Sequence, residues 1–137
     1  MSERYVLDSF AVLALLGKEP GSERVQALLK KAKVGEADVS MTWVNVGEVT
    51  YIVERRWGKA RVHRVLGTLE ATAVEIHEVG RDLTLTAAEI KAEYPLAYAD
   101  AFAAALAMRE QAVLMTGDPE FKQLETVLAL DWLPDPE

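Results

Sequence analysis

The stretch Tyr5-Val6-Leu7-Asp8-Ser9-Phe10-Ala11-Val12-Leu13-Ala14-Leu15-Leu16 decides the fold. Three apolar residues, too few for a helix, end at an aspartate, and seven more follow before Gly17 and Pro20 close the segment. The first run predicts a strand, and the second a short, mostly buried helix. Asp8 stands at the junction, where a carboxylate accepts hydrogen bonds from the free N–H groups of a helix start.

Working outward, the same alternation recurs. Gly21 to Lys33 carries Val25, Leu28 and Leu29 at helical spacing, with charges on the opposite face. Ala37-Asp38-Val39-Ser40 predicts a second strand. Thr42 can cap a helix that runs to Trp57 and ends at Gly58. Lys59 to Ala71 places Val62, Val65, Leu66 and Leu69 on one face of another helix. Val74-Glu75-Ile76 is a third strand, followed by a helix from Asp82 to Glu93 that Pro95 closes. The alanine-rich segment from Ala97 to Arg109 is a strong helix former. Val113-Leu114-Met115 predicts a buried strand, then come a brief helix over Glu120 to Leu124, a last strand over Val127 to Leu130 and a polar tail from Pro134 to Glu137. Strands alternating with helices give an α/β fold: a mainly parallel sheet of four to five strands flanked by helices. Residues 1–137 fit one domain, with no linker or internal repeat.

Composition narrows the function. Half of the residues are hydrophobic, a normal globular proportion, and no stretch resembles a membrane span or a leader, so a cytoplasmic protein is expected. The absence of cysteine removes disulfides, thiolate metal sites and cysteine nucleophiles together. A net charge of −7 argues against a broad nucleic-acid-binding surface. The basic residues are clustered, however: Arg55, Arg56, Lys59, Arg61 and Arg64 fall within ten positions. Arg55, Arg56 and Lys59 are candidate contacts to nucleic-acid phosphates, against the plainer reading of a solvated helix face. His63 and His77 do not pair at ligand spacing and are surface or packing residues. Trp43, Trp57 and Trp132, with Phe10 and Phe102, read as core or interface groups.

Asp8, Glu48, Asp100 and Asp118 each lie at the junction of an apolar run and a helix start, or on the flank of an apolar helix. Every one has a structural explanation. Asp8 and Asp118 suit N-caps, the latter with Pro119 at the first helical position, although Ser9 could cap in place of Asp8. Asp100 suits the positive end of a helix dipole. Glu48 shares a helix face with Val44, Tyr51, Ile52 and Arg55, and either an ion pair with Arg55 or Arg56 or a metal would satisfy it. Taken together, three acids fall where strand ends of an α/β sheet converge, and a neighbouring helix supplies the fourth. Crowded carboxylates repel each other unless a divalent cation neutralises them.

These pieces resemble the PIN-domain ribonucleases, and within them the VapC-type toxins of toxin–antitoxin pairs. The resemblance is carried by Tyr5-Val6-Leu7-Asp8-Ser9, Asn45-Val46-Gly47-Glu48-Val49, Tyr98-Ala99-Asp100-Ala101 and Leu114-Met115-Thr116-Gly117-Asp118-Pro119-Glu120-Phe121, in that order over the whole chain. It implies an acidic pocket of Asp8, Glu48, Asp100 and Asp118 that binds Mg²⁺ or Mn²⁺, with Thr116 beside it and Ser9 at a position often held by Thr or Ser. It implies endoribonuclease activity leaving a 3′-hydroxyl and a 5′-phosphate, an antitoxin partner that blocks the pocket, and a homodimer to which the Phe10–Leu16 helix could contribute. In this scheme Asp8 and Asp100 bind the cation directly, while Glu48 and Asp118 ligate it or orient its waters. Hard cations suit such an oxygen-only donor set.

Three other classes compete. A phosphoacceptor signalling domain also clusters acids around Mg²⁺, but it pairs adjacent acids after the first strand and places a lysine after a late one; here Asp8 is single and the lysine is missing. A haloacid-type phosphatase needs Asp-x-Asp, which Asp8-Ser9-Phe10 fails. A binding-only module with an occluded acidic pocket is the remaining alternative.

Overall fold

The computed structural model of the protein describes residues 3–134. Five parallel strands, β1 (Glu3–Leu7), β2 (Ala37–Thr42), β3 (Glu75–His77), β4 (Val113–Thr116) and β5 (Leu130–Trp132), form one sheet in the order β3-β2-β1-β4-β5. The connections are α1 (Ser9–Leu16) and α2 (Ser22–Lys33), then α3 (Trp43–Trp57) and α4 (Lys59–Ala71), then α5 (Arg81–Glu93) and α6 (Tyr98–Glu110), and last a 3-10 helix (Pro119–Leu124).

Both faces of the sheet are covered, so its central strands are apolar on both sides. Val6 and Leu114 pack with α5, α6 and Phe121, while Leu7, Val39, Met41 and Met115 pack with α1 to α4. The alanines of α6 let its backbone lie close to the strands: Ala101, Ala103, Ala104, Ala105 and Ala107 are fully buried. A helix apolar along most of its length belongs in a core, and Asp100, the acid of its first turn, is carried in with it.

The predicted elements are all present, and one is displaced. The last strand is Leu130–Trp132 rather than Val127–Leu130. The apolar run Val127-Leu128 continues the turn after the 3-10 helix, with Val127 N–H donating to Leu124 O at 3.0 Å and the Val127 side chain half exposed. Pairing begins only where Leu114 N–H reaches Ala129 O, at 3.0 Å. The brief helix is 3-10 rather than α. Of the predicted polar tail, residues 135–137 lie outside the described residues. Among the described residues no helix is long and apolar enough to cross a membrane.

Phe102 is core and Trp43 half-buried, whereas Trp57 and Trp132 keep 40% and 37% of their surface exposed and are not core residues. His63 is exposed, and His77 is a packing residue within hydrogen-bond distance of Ser40 Oγ, at 3.2 Å.

Candidate active site

The carboxyl ends of β1 and β4 bring Asp8 and Asp118 together through one hydroxyl. Asp8 caps α1: Oδ1 accepts the Ala11 N–H at 2.9 Å, and Oδ2 accepts the hydroxyl of Thr116. The same Thr116 Oγ1 accepts the Asp118 N–H at 3.0 Å, and Asp118 Oδ1 caps the 3-10 helix by accepting from Glu120 N at 2.9 Å. The capping explanations for both acids therefore hold. A carboxylate offers about four lone-pair positions, so capping leaves acceptor capacity over. Thr116, fully buried, sets the spacing between the two strands' acids.

Glu48 arrives from α3. Its Oε1 accepts the Ser9 hydroxyl, and among the described residues neither Arg55 nor Arg56 forms an ion pair with it. The arginine alternative for Glu48 is thus not realised, and its partner is the serine that directly follows Asp8. Asn45 tethers the start of α3 to α6: its backbone N–H donates to the capping Thr42 Oγ1 at 3.0 Å, its Oδ1 accepts from the same hydroxyl at 2.6 Å, and its Nδ2 donates to Ala99 O at 3.0 Å. That last bond lands beside Asp100 and holds the two acids' helices in register.

Asp100 completes the group from the first turn of α6, buried at 6% exposure. Carboxylate oxygens of Asp100, Asp118 and Glu120 lie within 4.8 Å of one another, close enough to share one cation. Glu120 is a member that sequence reasoning missed. It lies inside the quoted Thr116–Phe121 motif, two residues beyond Asp118, but as an exposed glutamate in a helix start it carried no burial signal. The 3-10 turn directs it at α6, where Oε1 accepts the Ala97 N–H at 3.3 Å.

The electrostatics show what the cluster lacks. Burial pushes the Asp8 carboxyl up to about 7, with the hydrogen bonds from Thr116 and Ala11 opposing and the charges of Asp118 and Glu48 adding. Burial likewise lifts Asp100 to about 8, with Asp118, Asp8, Glu48 and then a hydrogen bond to Glu120 all acting in the same direction. The charges of Glu48 and Asp118 thus act on both Asp8 and Asp100, and the site is short of positive charge.

Gly117 closes the floor. A Cβ built there would stand 2.2 Å from Phe10 Cε1, so the α1 aromatic packs directly on the backbone between Thr116 and Asp118. The basic group predicted near the site surrounds the α3–α4 junction, with Arg55, Arg56, Lys59 and Arg64 exposed and Arg61 half-buried; Arg55 lies over the Tyr51 ring at 5.1 Å and Arg61 over the Trp57 ring at 5.2 Å.

The model of the PIN domain family matches residues 5–127, a span that contains every acid of the cluster. The chain belongs to the PIN domain family. Solved structures agree on the fold. VapBC2 from Rickettsia felis, bound to a DNA fragment from its promoter, superposes with a TM-score of 0.74 at 20% identity, covering 96% of this chain and 99% of that one. DNA-bound VapBC from Salmonella typhimurium gives a TM-score of 0.72 at 17% identity over 96% and 98% of the two chains. VapC20 from Mycobacterium tuberculosis, a Sarcin-Ricin loop cleaving toxin, gives 0.64 at 19% identity over 87% and 93%. No curated protein sequence gives a significant match. In this PIN domain the acids come from the ends of β1 and β4, from two helices and from the 3-10 turn.

Proposed function

We propose that this PIN domain is a divalent-metal-dependent endoribonuclease, acting in the cytoplasm as the toxin of a toxin–antitoxin pair, with residues 1–137 as one functional unit. The observation that carries the reading is the convergence of Asp8, Glu48, Asp100 and Asp118 at the carboxyl end of the sheet, with two of the acids buried and raised in pKa by that burial and by their acidic neighbours. The fold's likeness to VapBC structures supports the toxin assignment and an antitoxin partner.

The donor set fits a hard cation: all oxygen, with no histidine or cysteine. Asp100, Asp118 and Glu120 would hold Mg²⁺ or Mn²⁺ together with Asp8. When bound, such a cation supplies Lewis-acid stabilisation of the phosphodiester charge and activation of water for its hydrolysis. The chain's own groups do the positioning. Thr116 Oγ1 orients Asp8, and Asp118 is held by that hydroxyl and by its own cap. Ser9 occupies one oxygen of Glu48, leaving the other to orient water or accept its proton. The exposed Arg55, Arg56 and Lys59 offer contacts for flanking phosphates. Homodimerisation would set two such sites on one particle.

Total cellular RNA, incubated with the protein in Mn²⁺, Mg²⁺ or EDTA and mapped by end sequencing, tests the reading. Discrete metal-dependent cuts bearing 5′-phosphates, lost in Asp8→Asn and Asp100→Asn proteins that still fold, are expected. Full cleavage by either variant, or undiminished cleavage in EDTA, would overturn it.

A further inference from the structure

A cavity of about 360 Å³ lies on the β5 side of the acidic cluster, lined by Gly117, Pro119, Lys122, Glu125, Trp132 and Leu133. The sheet fixes where it sits. Thr116 and Trp132 are register partners in the parallel β4–β5 ladder, and Leu133 N–H donates to Thr116 O at 2.7 Å. Paired residues on adjacent strands stand about 4.8 Å apart with side chains on the same face. Thr116, whose hydroxyl orients Asp8, is therefore one strand spacing from Trp132 along the ladder, and the cavity's Gly117 and Pro119 flank Asp118 in sequence.

Trp132 is not a mobile side chain on a loose end. Arg24 Nη1 donates to Trp132 O at 2.5 Å and the same guanidinium pairs with Asp131, so the strand carrying the indole is pinned while 37% of the residue stays exposed. An isolated exposed tryptophan would need no explanation. This one shares a concave space with a cation and a carboxylate, directly beside the acids.

We infer that this cavity is a nucleobase subsite, taking an unpaired base next to the phosphodiester that is cut; the inference rests on the ribonuclease reading. The space lies within the range of small-molecule sites and admits one nucleotide, not a duplex. An unpaired base presents a π-face that stacks on an indole. Lys122 supplies the charge for the nucleotide's phosphate. Glu125 is an acceptor-only group, so it selects bases with an amino donor on their pairing edge. Adenine, cytosine and guanine qualify, whereas uracil has no amino group and offers only its ring N3–H between two carbonyl oxygens that a carboxylate repels.

The probes are nucleoside 5′-monophosphates, which cannot be cut further, with ribose 5-phosphate as the baseless control. The readout is the Trp132 indole N–H resonance in the full chain, assigned by its disappearance in Trp132→Phe. AMP, CMP and GMP are expected to shift the resonance, UMP less, and ribose 5-phosphate not at all. Affinity for AMP, measured by titration calorimetry because these variants lack the reporting indole, should fall about 5- to 100-fold in Trp132→Leu, as expected for loss of one stacking platform, and be largely kept in Trp132→Phe. Glu125→Gln should bring CMP and UMP together. Equal affinity for AMP and ribose 5-phosphate, or no loss in Trp132→Leu, would overturn the subsite. A silent indole in a protein that cuts RNA with Mn²⁺ would remove the subsite and leave the nuclease standing. A shifted indole in a protein that cuts nothing would retain nucleotide binding and overturn the ribonuclease reading.

Discussion

Replacing Asp8 by asparagine in the cation-free protein should reverse the usual cost of a core substitution. The Asp8 carboxyl is 1% exposed and stands at about 7 instead of 3.8, because burial outweighs its two hydrogen bonds. An acid whose folded pKa exceeds its unfolded value binds its proton more tightly in the native state. Stability from this group is therefore complete below pH ~4 and is lost as pH rises through about 7. The whole rise corresponds to about 4 kcal/mol, of which about 2.5 kcal/mol falls between pH ~5 and ~8. In a chain of this size ~1 kcal/mol moves Tm by about 3–4 °C, so ionisation of Asp8 should lower Tm by roughly 8–10 °C across that interval. Asparagine caps a helix as well as aspartate does and cannot ionise, so Asp8→Asn should flatten the curve and exceed wild type at the alkaline end. Asp8→Ala loses the Ala11 cap as well, about 1 kcal/mol at every pH. Thermal melts by circular dichroism, with EDTA and buffers from pH ~5 to ~8, measure all three proteins. Parallel Tm-versus-pH curves for wild type and Asp8→Asn would refute the assignment of that charge to a buried, uncompensated site.

Cation binding should displace the protons that Asp8 and Asp100 hold near neutrality. Calorimetric heats for Mn²⁺ at pH ~6.5 will then depend on the buffer's ionisation enthalpy and lose that dependence near pH ~9; buffer-independent heats at the lower pH would contradict it. At about one hundred times its Kd, Mn²⁺ should also stabilise wild type by ~2.7 kcal/mol in melts, and Asp100→Asn far less. Gly117→Ala must displace the Phe10 ring, which a Cβ there would meet far inside van der Waals contact, costing about 1–3 kcal/mol in denaturant titrations; Phe10→Leu in the same chain should recover most of the loss, and independent effects of the two changes would argue against the contact. Asn45→Ala removes the bond to Ala99 O, and should cost about 1–3 kcal/mol of stability and lower kcat more than it raises KM, whereas wild-type kinetics would show that α3 and α6 stay in register without it. Charge reversal at Arg55 and Arg56 should weaken RNA binding and flatten its salt dependence, and an unchanged slope would return both residues to a solvated helix face.

The α/β class was legible because periodicity, caps and breakers are local. Asp8, Thr42, Gly58 and Pro95 mark their boundaries through the chemistry of nearby backbone groups. The four acids could be picked out because each stands in apolar surroundings, where a charge needs a reason. What tertiary structure alone decided is pairing and partnership. The last strand moved from Val127–Leu130 to Leu130–Trp132 because a strand begins where its neighbour's N–H groups are met, and that neighbour is β4, far back in the sequence. Glu48 took Ser9 rather than an arginine because the fold brings α1 against α3. Glu120 entered the cluster because a 3-10 turn, not an α-helix, aims its side chain at α6. Trp132 proved half-open because β5 is the sheet's edge strand, and hydrophobicity cannot tell an edge from a centre. The sequence by itself thus determined which residues carry charge into the core and where the backbone turns, since those are properties of short segments. Distances between segments, and with them the identity of each acid's neighbours, depend on the packing of six helices over five strands, a global balance that no single segment records.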